Sequence, residues 1–198
     1  MFIRIAFLAA LVFFLDISFF KCSSSEKTEI NKFKTSNEYF PLKDNSVWKY
    51  INEAPRKETI EIDVKCTTSK EEEKFELSNY PFFGNADKNV TIFTDKSGNV
   101  YVTEPNGKQL LLLPETGKFK DDYTWKYNDY LYGYLKTTPI QVKTEAGTFD
   151  CIFILFTEGF TFTIEMWLAK DVGIVKWGAN RTNPPTLAFQ YYVLKEYN

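Results

Sequence analysis

Residues Ile60 to Cys66 read Ile-Glu-Ile-Asp-Val-Lys-Cys, apolar at every even-numbered position and charged at every odd-numbered one. A period of two puts Ile60, Ile62, Val64 and Cys66 on one face of an extended chain and Glu61, Asp63 and Lys65 on the other, which is the mark of a half-buried strand. The same period runs outward in both directions. Phe75 and Leu77 continue it beyond a charged loop at Lys70 to Glu72. Thr91 to Thr94 and Asn99 to Thr103 flank Asp95-Lys96-Ser97-Gly98, which reads as a four-residue hairpin turn. Pro105-Asn106-Gly107 is the next turn and Leu110 to Leu113 the next run.

The segment Asp150 to Trp167 predicts a hairpin turning at Glu158-Gly159. That turn pairs residues whose numbers sum to 317, placing Cys151, Phe153 and Leu155 opposite Met166, Ile164 and Phe162. Gly173 to Ala179 and Thr186 to Lys195 supply two further strands, broken apart at Asn183-Pro184-Pro185. No long stretch has helical spacing beyond the N-terminal region. The expected fold is therefore all-β: a curved antiparallel sheet or incomplete β-barrel over residues 38–198, a single domain.

Composition narrows the functions. The 198 residues carry 24 basic and 26 acidic side chains and no histidine. A net charge of -2 without a basic block argues against nucleic acid as a partner. Without imidazole, a His base or His ligand is excluded, and two thiols alone make a poor zinc site. Asp95 to Asn99 reads as a turn, since it lacks the repeated acidic positions of a calcium loop. The acidic residues mostly alternate with apolar ones, as a solvated face does. No catalytic residues, metal ligands or cofactor are expected, and the protein is not expected to be an enzyme.

The N-terminus reads as an address. Ile5 to Leu15 is a run of 11 apolar residues behind Arg4. This suits a signal peptide and is short of the about 20 residues of a bilayer span. Cys22 follows, then Ser23, Ser24 and Ser25. The arrangement resembles a bacterial lipoprotein signal, in which the cysteine becomes the lipidated first residue. Phe19 takes the leucine-like place, while Phe20 and Lys21 stand where small residues are usual. The resemblance implies a signal peptide over 1–21, a lipid anchor at Cys22, a polar tether over 22–37, and export to the cell envelope with the membrane as partner.

Four blocks carry a second resemblance: Tyr39-Phe40-Pro41-Leu42 with Trp48-Lys49-Tyr50; Glu145 to Cys151; Trp167 to Lys176; and Tyr192 to Tyr197. Together they resemble bacterial exported proteins and lipoproteins of the DUF3108/TapB-like type. That likeness implies an incomplete barrel similar to the LolA/LolB carriers, and no catalytic residues. Where that group often has a glycine before its first tryptophan, this chain has Asp44-Asn45-Ser46, an Asx turn able to take its place.

Two candidate features remain. Cys66 and Cys151 fall by strand parity on the apolar faces of their strands; they are either a disulfide or two buried free thiols. Tyr123, Trp125 and Tyr127, then Tyr130, Tyr132 and Tyr134, put six aromatics into twelve residues. They form either an aromatic wall that meets a ligand or partner, or ordinary core. Two functions follow. One is an anchored β domain whose concave face receives an apolar or lipid-like guest. The other is an envelope interaction module whose interior is filled by its own side chains.

Overall fold

The computed structural model describes residues 37–53, 59–68, 73–78, 89–104, 106–158, 162–181 and 190–198. All of them fall within one unit. The signal segment, Cys22 and the tether up to residue 36 lie outside the described residues.

The expected all-β fold is what the structure shows. The first six strands are β1 (Val47–Asn52), β2 (Thr59–Thr68), β3 (Glu73–Leu77), β4 (Val90–Thr94), β5 (Val100–Thr103) and β6 (Gln109–Leu113). A single turn of 3-10 helix at Thr116–Lys118 leads into β7 (Tyr123–Lys126) and β8 (Tyr132–Thr144). β9 (Gly147–Glu158), β10 (Phe162–Ala169), β11 (Gly173–Arg181) and β12 (Gln190–Tyr197) complete the chain. Hydrogen bonding orders them as β6-β5-β4-β3-β2-β1-β12-β11-β10-β9-β8-β7. Every paired neighbour is antiparallel, as hairpin connections dictate for all but the β1–β12 pair. The last strand lies beside the first, so β12 against β1 joins the two halves of the sheet.

Turn chemistry explains the hairpins. Asp95 accepts the backbone N–H groups of Ser97 and Asn99, each at 2.9 Å, and the Asn99 side chain at 2.8 Å. Gly98 then takes φ 91°, which a side chain would resist. Asn45 adopts φ 60° in the Asp44-Asn45-Ser46 turn that precedes β1.

One face of the sheet carries a continuous core. It runs from Trp48 and Tyr50 on β1 through Ile62, Phe75, Leu77, Ile92, Val102 and Leu110 to Leu112. From there it continues through Trp125, Leu135, Ile154, Phe156, Met166, Trp177 and Leu194. Residues contributed by all twelve strands can share one core only if the sheet curls around it. The segment from Asn37 to Leu42 closes one end. Phe40 and Leu42 are buried in the core, and the buried Asn37 amide donates to the carbonyls of Gly98 (2.9 Å) and Pro114 (3.3 Å). Asn37, read from sequence as the end of the tether, thus belongs to the folded body.

The β9–β10 hairpin corrects the sequence reading. Its pairs are Glu158 with Phe162, Phe156 with Ile164, Ile154 with Met166 and Ile152 with Leu168. The paired numbers sum to 320, not 317. An odd change in register turns one strand over. The inner face is therefore Ile152, Ile154 and Phe156 against Leu168, Met166 and Ile164, all buried. Cys151, Phe153 and Leu155 look the other way. Trp167 also sits on the outer face, unlike Trp48 and Trp177.

A carboxylate stabilises the irregular part of β8. The β8–β9 register shifts between Lys136 and Ile140. Asp121 reaches over that shift and accepts the N–H and hydroxyl of Thr137 (2.6 and 2.8 Å) and of Thr138 (3.1 and 2.8 Å). Those bonds, the Thr138 and Thr137 hydroxyls first, hold its pKa down from 3.8 to about 2. Because the folded value is the depressed one, this stabilisation is full above the unfolded pKa and disappears as pH falls through the folded one. Stability should fall less steeply between pH 4 and pH 2 in Asp121→Asn than in the parent; acid titrations of equal slope would remove Asp121 from this role.

Candidate functional site: an outer aromatic face

The Tyr123 to Tyr134 segment divides between the two faces. Trp125 and Tyr127 are buried, and both rings meet Phe156 edge-on, at 5.6 and 5.3 Å between centroids. Tyr123 packs beside Trp125 at 6.2 Å. These three belong to the core, as the ordinary-packing reading holds. Tyr130, Tyr132 and Tyr134 instead face solvent, at 71%, 46% and 42% exposure. Alternation explains the split. On β8 Gly133 and Leu135 point inward, so Tyr132 and Tyr134 must point out.

Register carries the exposed tyrosines into a wider surface. Tyr134 lies opposite Leu155, Leu155 opposite Glu165, Glu165 opposite Gly178, and Gly178 opposite Tyr191. In the adjoining row Lys136, Phe153, Trp167 and Lys176 follow one another across β8 to β11. Phe153 and Trp167 rings are 5.0 Å apart, and Trp167 and Tyr191 are 5.9 Å apart. Phe153, Leu155, Trp167 and Tyr191 are half-buried, so each keeps part of its side chain in water.

Charged groups lock these rings in place. The Lys176 ammonium lies 4.5 Å from the centre of the Tyr191 ring and 5.6 Å from that of Trp167. It also bonds Glu53 at 2.8 Å. The Tyr191 hydroxyl donates to Glu165 at 2.8 Å. Burial, and then that bond to a carboxylate, push the Tyr191 phenol up to about 12, so it stays protonated and remains a donor. A surface whose rings are fixed before contact loses less side-chain entropy on binding.

Beneath Trp167 and Phe149 lies a small second core of Val142, Cys151, Ala169 and Val175. Cys151 is a free, buried thiol here, so the candidate bridge to Cys66 is absent. The reason is placement: Cys151 is turned to the outer face of β9, and four strands separate β9 from β2. Cys66 is paired in register with Phe75, and only its backbone is described. Burial, with the neighbouring Asp150 second, pushes the Cys151 thiol up to about 12, which makes it a poor nucleophile.

On the inner face a small cavity lies among the described residues. Around Phe40, Trp48, Tyr50, Ile62, Leu77 and Ile174 the cavity measures about 10 Å³, the size of one water. Among the described residues no three metal-ligating side chains converge. Sequence reasoning found the exposed half of this surface in Tyr130, Tyr132 and Tyr134. It missed Phe153, Trp167 and Tyr191, whose common face depends on the hairpin register.

No family model matches the chain, including one for the group that the four blocks resemble, and no curated protein matches it in sequence. Two solved structures are similar in shape. A candidate exported protein with a YmcC-like fold from Bacteroides fragilis is 14% identical with a TM-score of 0.47, over 82% of this chain and 99% of that one. A candidate lipoprotein from Parabacteroides distasonis is 15% identical with a TM-score of 0.42, again over 82% and 99%.

Proposed function

We propose that this protein is an exported, lipid-anchored module of the bacterial envelope that binds another envelope protein through the outer aromatic face of β8 to β12. One observation carries the reading: among the described residues the rings are divided between a packed core and a half-exposed outer surface. The inner cavity of about 10 Å³ is far below the roughly 300 Å³ or more of a small-molecule site. That supports the interaction module over the carrier. Outside, Tyr132, Tyr134, Phe153, Trp167 and Tyr191 combine apolar area with polar edges, the composition enriched at protein interfaces.

The anchor is read from Cys22 and the apolar run before it. Cys22→Ser should abolish fatty-acid labelling and release the chain from the membrane fraction. A photo-crosslinking amino acid at Tyr134 should give a discrete crosslinked band in cells, and one at Lys143 should not. Tyr132→Ala with Tyr134→Ala should weaken that partner's binding at least about tenfold, as loss of interface rings does. Its melting temperature should move by no more than a few degrees, because surface changes cost about 0.5 kcal/mol each. Stoichiometric lipid in the purified chain, with no crosslink, would return the carrier reading to first place.

A further inference from the structure

We propose that the junction between β6 and β7 is a gate into the interior, hinged at residues 114–122 and latched by Trp125. These two strands are the ends of the sheet, and no backbone ladder joins them. Side chains hold them together instead. The Trp125 indole N–H donates to the Leu111 carbonyl at 3.0 Å, crossing from β7 to β6. Gly133 lies under the Trp125 ring, and a Cβ there would overlap its six-membered part, so the latch is seated in a notch cut for it.

The two ends of the junction differ. The connection from β6 to β7 is fastened from several sides. Asn37 donates to Pro114, Asn99 accepts the Glu115 N–H at 2.9 Å, and the Tyr39 and Phe119 rings meet at 5.4 Å. Asp121 ties the same connection to Thr137 and Thr138. At the other end, Lys108 of the β5–β6 turn meets Asp129 of the β7–β8 turn at 3.5 Å. Both side chains are about half exposed or more, and Asp129 is shared with Lys126 at 3.1 Å. Exposed pairs of this kind are weak and screened by salt. A ladder of backbone bonds opens as a unit, whereas this seam opens against one indole bond, one surface pair and the burial of a few side chains among the described residues, without breaking a ladder. Opening from the turn end uncovers the inward side chains of Leu110, Trp125 and Leu131.

The parent chain contains its own control. Trp48 is as buried as Trp125, and its indole N–H donates to the Val172 carbonyl at 3.1 Å, but it sits on β1 between two paired strands. With the full chain labelled with 15N-tryptophan, NMR should show the Trp125 indole proton exchanging with solvent at least about tenfold faster than that of Trp48. Asp129→Lys should accelerate Trp125 exchange by a further factor of about three and leave Trp48 unchanged. Trp125→Phe identifies the resonance. Equal exchange of the two indoles would overturn the gate. So would an acceleration by Asp129→Lys shared by both, since each result means the junction opens only when the whole sheet does.

Discussion

Phe156→Ala should lower stability by about 3–5 kcal/mol, the cost of deleting a fully buried phenyl ring and leaving a cavity. Phe156 is wholly inaccessible, with Trp125 and Tyr127 edge-on to it. Its strand neighbours in register are Gly133 and Ile164. Gly133 has no side chain to move into the gap, and the two aromatic rings are held by their own contacts. The site therefore relaxes little, which places the loss toward the upper end. At about 2–4 °C per kcal/mol for a chain of this size, the melting temperature should fall by about 10 °C or more. The comparison that gives this its meaning is Phe153→Ala, three residues away on the outer face. Phe153 is half exposed and loses mainly its contact with Trp167, so about 1 kcal/mol is expected. Urea denaturation of both variants checks the pair. Equal costs would mean the inner and outer faces of β9 have been assigned the wrong way round.

Gly133→Ala should destabilise by about 1–3 kcal/mol, although strand preference alone points the other way. In the interior of a strand, glycine is worse than alanine by about 0.5–1 kcal/mol, because it loses more backbone freedom on folding. Here the Trp125 ring occupies the place of the Cβ, against a backbone that β7 and β9 hold from both sides. To admit the methyl group, the ring must leave its notch and give up its bond to Leu111. A double-mutant cycle isolates the cause. In a Trp125→Leu background, Gly133→Ala should become neutral or mildly stabilising. A cost that stays the same with and without the indole would show that glycine is needed there for its backbone and not for the ring.

Much of the fold could be read locally. Strict alternation at Ile60 to Cys66 placed β2, and the Asp95 carboxylate and the left-handed tolerance of Asn45 specified turns the structure contains. Alternation failed where both faces of a strand are apolar. On β9, Cys151, Phe153 and Leu155 are as hydrophobic as Ile152, Ile154 and Phe156, so period two names two faces without saying which is the core. From Tyr123 to Tyr134, the aromatic residue types alone gave no sign that the first three are inner and the last three outer. That follows from the hairpin register, which pairs Trp125 with Gly133 and Tyr123 with Leu135: odd-numbered residues face inward on both sides of the Asn128-Asp129 turn, while the aromatics move from odd to even positions.

The sequence by itself determined that this chain folds as an antiparallel sheet, where the Asp95–Gly98 hairpin turns, and that histidine chemistry is closed to it. These are properties of neighbours along the chain: side-chain period, turn-forming groups and composition. Only the tertiary structure decided which face of the β9–β10 hairpin is buried, that Trp125, Tyr127 and Phe156 pack together in the core, and that the Trp125 indole crosses from β7 to β6. Those depend on register and on the closing curvature of twelve strands, and a shift of one residue in pairing reverses a face while leaving the local pattern untouched.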